Sequence, residues 1–461
     1  MQKLFDEVNT LDQRSYKEFA LSEDILMEHA ANSIALYIQN NYKNKKTISI
    51  IAGVGNNGAD GIALARLLHG KFDVCIYLPF PLKSQMAILQ EKRAKLLGVN
   101  FVKEIISSDI IIDCLFGSGL NKQLNKESEE LINNLNNIDA IKIACDIPSG
   151  INTKGQVQSI AFYSDVTITM GALKTSLYTD ISKDFVGKVI VSDLGINRKF
   201  YEGSTNKYLL EASDLNLPFR DTHNSHKGSY GHLNVIAGCK KGASMIASEA
   251  AFAFGAGLVS VISHEELDLP YHIMQGHFLS ENCTAIAIGM GLGKFEENEI
   301  KDILSKDIVK IIDADLFYSP LLLDILNQEL VLTPHPKEFC SLLKMTEIAD
   351  INIEELQNNR IKYVELFCYK YPNIILLLKG TNVIISLYDQ IYINTFGSAV
   401  LSKGGSGDVL SGLIGGLLAQ GYNPLDATIS ASLAHSIASN NYKKNNYSLI
   451  PSDLIKEIKK I

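Results

Sequence analysis

Apolar residues recur along this chain in two rhythms. Leu26, Met27, Ala30, Ala31, Ile34, Ala35 and Ile38 return every three or four positions and predict a packing helix, with Glu23 and Asp24 suited to its N-terminus. Elsewhere the apolar stretches are short and unbroken: Thr47 to Ala52, Val74 to Leu78, Asp109 to Leu115, Ile141 to Cys145, Val166 to Met170 and Lys188 to Val191. Strands apolar on both faces need cover on both, so these runs, separated by helical stretches such as Ile62 to His69, predict a parallel, doubly wound sheet. The alternation resumes with a strand ending at Ile236 and with Leu258 to Ile262, Thr284 to Ile288, Ile308 to Ile312, Leu330 to Thr333 and Ile374 to Leu378. Helices are expected over Ala243 to Phe254 and Val409 to Leu418. Between the two series lie a polar interval from Asn197 and a charged, proline-containing stretch from Asp214 to Thr222, so domains are expected at residues 1–211 and 212–461.

Length agrees with that division, since 461 residues exceed what one hydrophobic core ordinarily organises. A formal net charge of −8 argues against a general grip on nucleic acid, although backbone amides can still bind phosphate locally. The 7 cysteines are scattered without a Cys-x-x-Cys pair and read as reduced core thiols. Neither a signal peptide nor a membrane span is visible, and a cytoplasmic protein is expected.

In parallel sheets of this kind ligands collect beyond the C-terminal ends of the strands, and the polar and glycine residues of this chain fall there. The first strand runs into Gly53-Val54-Gly55-Asn56-Asn57-Gly58-Ala59-Asp60-Gly61, the third into Asp113-Cys114-Leu115-Phe116-Gly117-Ser118-Gly119-Leu120, and the fourth into Asp146-Ile147-Pro148-Ser149-Gly150. Each loop alone has a structural reading as a turn or cap, whereas three on one edge predict a ligand site. In the second half the strands end at Gly289-Met290-Gly291, Asp313-Ala314-Asp315, His335-Pro336-Lys337-Glu338 and Lys379-Gly380-Thr381. Lys403-Gly404-Gly405-Ser406-Gly407-Asp408 then leads into an apolar helix. There an anion would meet uncovered amides and a helix N-terminus, with Asp408 placed to take a proton from a hydroxyl. The bland alternatives are Ser406 as an N-cap, His335 as a packed turn residue and Lys379 as a snorkelling lysine.

Taken in order, these segments resemble a known pair of domains. Residues 56–61, 113–119 and 146–150 resemble the NAD(P)HX epimerase domain. His226-Lys227-Gly228, Val235 to Gly238, His335 to Glu338, Lys379 to Thr381 and Gly404 to Asp408 resemble the ribokinase-like NAD(P)HX dehydratase domain. The departures are Ala59 where a second glycine is usual, Lys337 where glycine is common, and Gly397-Ser398-Ala399 in place of Gly-Asn-Pro.

The resemblance implies an N-terminal Rossmann-like domain and a C-terminal ribokinase-like α/β domain that together repair hydrated nicotinamide nucleotides. The first would interconvert R- and S-NAD(P)HX, with Asn56, Asn57, Gly58, Ala59, Asp60, Gly117, Ser118, Gly119, Leu120, Asn121, Lys122, Gln123 and Asp146 at the substrate. Asp146 would be catalytic, and Asn57, Asp113 and Ser149 would hold K+. The second would dehydrate the S form, converting ADP (or ATP in its place, with Mg2+) while Asp408 acts as base. Ala256, Gly291, His335, Pro336, Glu338 and Asp408 would bind the hydrated substrate. Lys379, Gly380, Thr381, Asn382, Val383, Gly397, Ser398, Lys403, Gly404, Gly405, Ser406 and Gly407 would hold ADP. A homo-oligomer acting on NADHX or NADPHX, without nucleic-acid or membrane partners, completes the expectation. The rival reading is a vitamin or sugar kinase fused to a nucleotide-binding domain.

Overall fold

Each unbroken apolar run identified above forms a strand, and the strands assemble into two compact units, Gln2–Lys207 and Tyr208–Ile461, with Met1 grouped with the second. This computed structural model describes every residue except Asn121 and Lys294. Asn121, expected at the first substrate site, therefore lies outside the described residues.

In the first unit the strands are β1 (Gln2–Phe5), β2 (Thr47–Ala52), β3 (Asp73–Tyr77), β4 (Asn100–Val102), β5 (Ile110–Cys114), β6 (Ile141–Cys145), β7 (Val166–Met170), β8 (Leu173–Lys174) and β9 (Lys188–Ser192). Seven form one sheet in the order β4-β3-β2-β5-β6-β7-β9, every pair parallel. β1 pairs in parallel with β8. Alternation puts Ile48, Ile50 and Ile112 into a core with the helices Glu23–Asn41 and Asn56–Leu68. Ile51 and Ile111 point the other way, into a core with Leu131, Ile132 and Leu135 of the helix Lys126–Asn136. The strand order reverses between β2 and β5, which opens a crevice at their C-terminal ends.

A short strand, β10 (Lys207–Leu209), leads onward in the chain to β11 (His232–Ile236), β12 (Leu258–Ile262), β13 (Met274–Gly276), β14 (Ala285–Ile288), β15 (Lys310–Ile312), β16 (Leu330–Leu332), β17 (Ile374–Leu378), β18 (Val383–Leu387) and β19 (Gln390–Asn394). In the second unit β13-β12-β11-β14-β15-β16-β17 run parallel, and β18 and β19 extend the sheet as an antiparallel hairpin. The helix Ser406–Ala419 is buried from Val409 onward. Its glycines let it lie directly on the helix Lys241–Ala253: a Cβ on Gly412 would stand 2.1 Å from the Ala247 carbonyl oxygen. That packing fixes the N-terminus of the helix, and with it Asp408.

Two helices begin earlier than their sequence suggests. The first starts at Asn56, not Ile62, because Gly58 and Gly61 are spent on packing: a Cβ on Gly58 would come within 2.0 Å of the Gly53 carbonyl oxygen, and one on Gly61 within 2.7 Å of Cys114. The second starts at Ser406, capped not by Ser406 but by Gly405 in the left-handed conformation at φ 90°.

Candidate active sites

The first site is built around two buried carboxylates at the ends of neighbouring strands. Asp113, the penultimate residue of β5, is fully buried and accepts three hydrogen bonds: from the Ser149 hydroxyl (2.6 Å), the Ser149 amide (2.7 Å) and the Leu115 amide (3.1 Å). Burial outweighs these bonds and pushes its carboxyl up to about 6. The Ser149 oxygen also accepts from the Phe116 amide at 2.8 Å, which ties the two loops together.

Asp146, just past β6, is held in the left-handed region at φ 71°, a conformation that costs a non-glycine residue energy and needs support from its surroundings. The support is visible. One carboxylate oxygen accepts from Lys174 Nζ (2.5 Å), Thr169 Oγ1 (3.3 Å) and the Met170 amide (3.2 Å), and the other accepts from the Ser118 amide (3.4 Å). Burial alone would raise this carboxyl, yet the Lys174 ammonium and the converging donors hold it below the ordinary carboxylate range. Asp60 behaves oppositely, its carboxyl pushed well up by burial and then by the charges of Asp146 and Asp12.

Asn57, in the first turn of the helix that follows β2, carries the site's unexplained feature. Both polar atoms of its side chain are buried without a hydrogen-bond partner. The side chain lies against Gly117, where an added Cβ would stand 3.1 Å from its amide carbon. Asn56, by contrast, is occupied, donating to Glu23 Oε1 and accepting from Ser84 Oγ, both at 2.6 Å. The Ala59 side chain packs with Met27 and Ala87 and so faces the protein interior. Gly119 has open space around it, Leu120 is buried, and Lys122 and Gln123 are exposed.

The second site gathers at the ends of β15 and β17 and the start of the helix Ser406–Ala419. Asp313 is buried and bridges: one oxygen accepts from Lys379 Nζ at 2.6 Å, the other from Ser411 Oγ at 2.6 Å. Lys379 reaches the glycine loop, since a Cβ on Gly407 would lie 3.4 Å from its Nζ. The amides of Gly407 and Asp408 have no protein acceptor among the described residues, as the first turn of a helix requires. Burial and the neighbouring Asp313 charge push Asp408 up to about 6, against the pull of Lys379.

The other residues expected here divide into four groups. Gly397 faces the Thr381 carbonyl oxygen, 3.0 Å from a Cβ built on it, so residues 397–398 stand beside the Lys379 to Val383 segment. Buried Arg360 fixes that segment by donating to the carbonyls of Leu378, Lys379 and Asn382. Lys403 and Gly404 are exposed at the loop, and the Ser406 hydroxyl donates to the Leu401 (2.7 Å) and Lys403 (3.0 Å) carbonyls. His335 is a helix cap. Its Nδ1 accepts from the amides of Lys337 (3.1 Å) and Glu338 (3.3 Å), and Glu338 accepts in return from the His335 amide (2.8 Å), while Pro336 opens the helix. Ala256 packs in the hydrophobic core, and Gly291 adopts φ 61° against the Lys240 carbonyl.

Lys174 and Ser411 belong to these sites and stand outside the sequence expectation, and Asp313, expected among the polar strand ends, has no role assigned in it. Lys174, the last residue of β8, had one signal, an isolated charge in the otherwise uncharged stretch Met170 to Leu177. Asp313 likewise closes a strand, but the partner that gives it meaning, Lys379, is 66 residues away.

Two family models match the chain: one described as YjeF-related protein N-terminus over residues 23–176, and one described as NAD(P)H-hydrate dehydratase over residues 233–460. The chain is 43% identical to the bifunctional NAD(P)H-hydrate repair enzyme Nnr of Helicobacter pylori, covering 100% of both chains. It is 32% identical to the protein of that name from Coxiella burnetii, over 92% of each. Among solved structures, an ADP/ATP-dependent NAD(P)H-hydrate dehydratase from Bacillus subtilis co-crystallized with ATP/Mg2+ aligns with 56% of this chain and 98% of its own, at 26% identity and a TM-score of 0.48.

Proposed function

Since the chain belongs to the family of bifunctional NAD(P)H-hydrate repair enzymes, we propose that residues 1–211 carry its epimerase and residues 212–461 its ADP-dependent dehydratase. The chain is an enzyme of nicotinamide-nucleotide repair, and the kinase alternative lacks support because its full-length relatives bear the repair name.

In the epimerase Asp146 is the proton carrier. Its carboxylate stays ionised beside Lys174, so it can take the proton of the ring hydroxyl as the adjacent ring C–N bond opens to an aldehyde with the bonding pair left on nitrogen, and return it to that oxygen when the nitrogen re-adds to the other face of the carbon, with no net redox change. Lys174 offsets the charge that Asp146 would otherwise carry alone in a buried place. The donor set of Asn57, Asp113 and Ser149 suits K+, a hard cation that prefers uncharged and carboxylate oxygens, and the orphaned amide oxygen of Asn57 supplies the observation in its favour. Bound there, K+ would supply positive charge for the phosphates of the dinucleotide.

In the dehydratase Asp408 removes the proton from the ring hydroxyl as that oxygen takes the terminal phosphoryl group of ADP, and AMP leaves. Lys379 and the free amides of Gly407 and Asp408 neutralise the group in transit. Phosphate is then a good leaving group, and elimination restores the dihydronicotinamide. Mg2+ would arrive with the nucleotide's own phosphates. ATP in place of ADP, a cytoplasmic setting and a homo-oligomer are part of the same proposal.

The observation that carries this reading is the convergence of Asp408, Lys379 and uncovered helix amides on one strand edge. The test is stoichiometry. With S-NADHX and ADP the chain should yield NADH and AMP one for one, and NADH without AMP, or a stable phosphorylated product, rejects the mechanism.

A further inference from the structure

One buried imidazole next to the phosphoryl-receiving loop has no part in the chemistry above. His435 sits within the helix Pro424–Asn441 and is 7% exposed, and its Nε2 lies 2.9 Å from the Ser406 carbonyl oxygen. A carbonyl only accepts, so Nε2 carries the proton and donates.

The consequence follows from peptide geometry. The Ser406 carbonyl and the Gly407 amide belong to one planar trans unit and point in opposite directions. A donor that fixes the carbonyl also fixes the line along which the Gly407 N–H projects, and that N–H, like the Asp408 N–H, has no protein acceptor among the described residues. The Ser406 hydroxyl, bonded to the Leu401 and Lys403 carbonyls, holds the residue from its other side. Gly405 enters this turn at φ 90°, a conformation open to glycine without strain, so the turn itself does little to fix the peptide that follows. We infer that His435 is a positioning residue of the dehydratase: its Nε2–H holds the Ser406–Gly407 peptide so that the Gly407 amide stays aimed at the moving phosphoryl group. Burial, seconded by the nearby Lys379 ammonium, lowers the imidazole to about 4, so it remains a neutral single donor throughout the working pH range.

The inference rests on the dehydratase reading and is tested in the full chain with S-NADHX and ADP. His435→Leu removes the donor, and His435→Gln keeps an N–H within similar reach. Losing one aimed amide should cost His435→Leu roughly 100-fold in kcat, within the range for one preorganised donor, with KM for the hydrated substrate shifted less than about threefold. His435→Gln should recover most of that loss, and epimerisation in the same tube should be unchanged for both. Equal kcat for His435→Leu and the unaltered chain would overturn the inference. So would equal losses in the two variants, including losses that merely track a lowered melting temperature, since packing alone predicts no rescue by Gln. Absence of NADH from the unaltered chain would instead refute the dehydratase reading itself.

Discussion

Replacing Asp408 by Asn should abolish dehydration and stabilise the protein at the same time. The carboxyl rises from an ordinary 3.8 to about 6 in the folded state, chiefly through burial and then through the Asp313 charge. The folded chain therefore holds this proton more tightly than the unfolded one, and stability falls as pH climbs from about 4 to about 6. The full cost of ionisation is about 3 kcal/mol, at ~1.4 kcal/mol for each pKa unit. Because the side chain is only partly buried, solvent screening reduces the expected figure to about 1–3 kcal/mol. Asn is nearly isosteric and never ionises, so Asp408→Asn should recover that amount at pH 7.5 and roughly half of it at pH 5. Scanning calorimetry of the full chain should show the transition of the second unit raised by roughly 2–10 °C at pH 7.5. NADH formation should drop by about 10²–10⁴-fold, the range for loss of a general base. The electrostatic account is refuted if the variant melts lower than the unaltered chain at pH 7.5, or if the difference between them does not shrink on acidification.

Two further outcomes concern the first site. Lys174→Met leaves Asp146 buried without its cation; it should destabilise the first unit by about 3–5 kcal/mol and raise the Asp146 carboxyl, moving the acid limb of the epimerisation rate to higher pH. An unmoved limb, measured as R-to-S conversion across pH, would remove Lys174 from the mechanism. Asn57→Leu deletes the orphaned amide, and the melting temperature of the first unit should then no longer respond to KCl, whereas the unaltered chain should melt higher in KCl than in a tetramethylammonium salt of equal strength. An equal response in both chains would separate K+ from Asn57.

The sequence announces these sites unevenly, for physical reasons. Strand ends and glycine loops are local features, and parallel strands deliver their loops to one edge, so Asp113, Asp146 and Asp408 could be picked out without coordinates. Helix starts were harder to place, because Gly58 and Gly61 weaken helix propensity while in fact they permit the contacts with Gly53 and Cys114 that hold the helix in place. The hairpin of β18 and β19 left no usual turn signature, since Tyr388 itself takes φ 54° where Gly or Asn would ordinarily stand. Lys174, Asp313 and His435 gain their roles from partners on other elements. His435 reads in sequence as one polar position in an Ala- and Ser-rich helix, and only the fold brings it to Ser406, 29 residues earlier.

The central claim is a division of labour, with two chemistries in one chain that meet at the S epimer. It is tested most directly by chromatography of an R/S mixture of hydrated NADH, supplied with ADP, across three full-length proteins. The unaltered chain should consume both epimers and return NADH matched by AMP. Asp408→Asn should equilibrate R and S without forming NADH, and Asp146→Asn should exhaust the S form and leave the R form to its slow spontaneous epimerisation. If Asp146→Asn consumes R as fast as the unaltered chain, or if Asp408→Asn forms NADH as fast as the unaltered chain, the assignment of the two activities to these two carboxylates is contradicted.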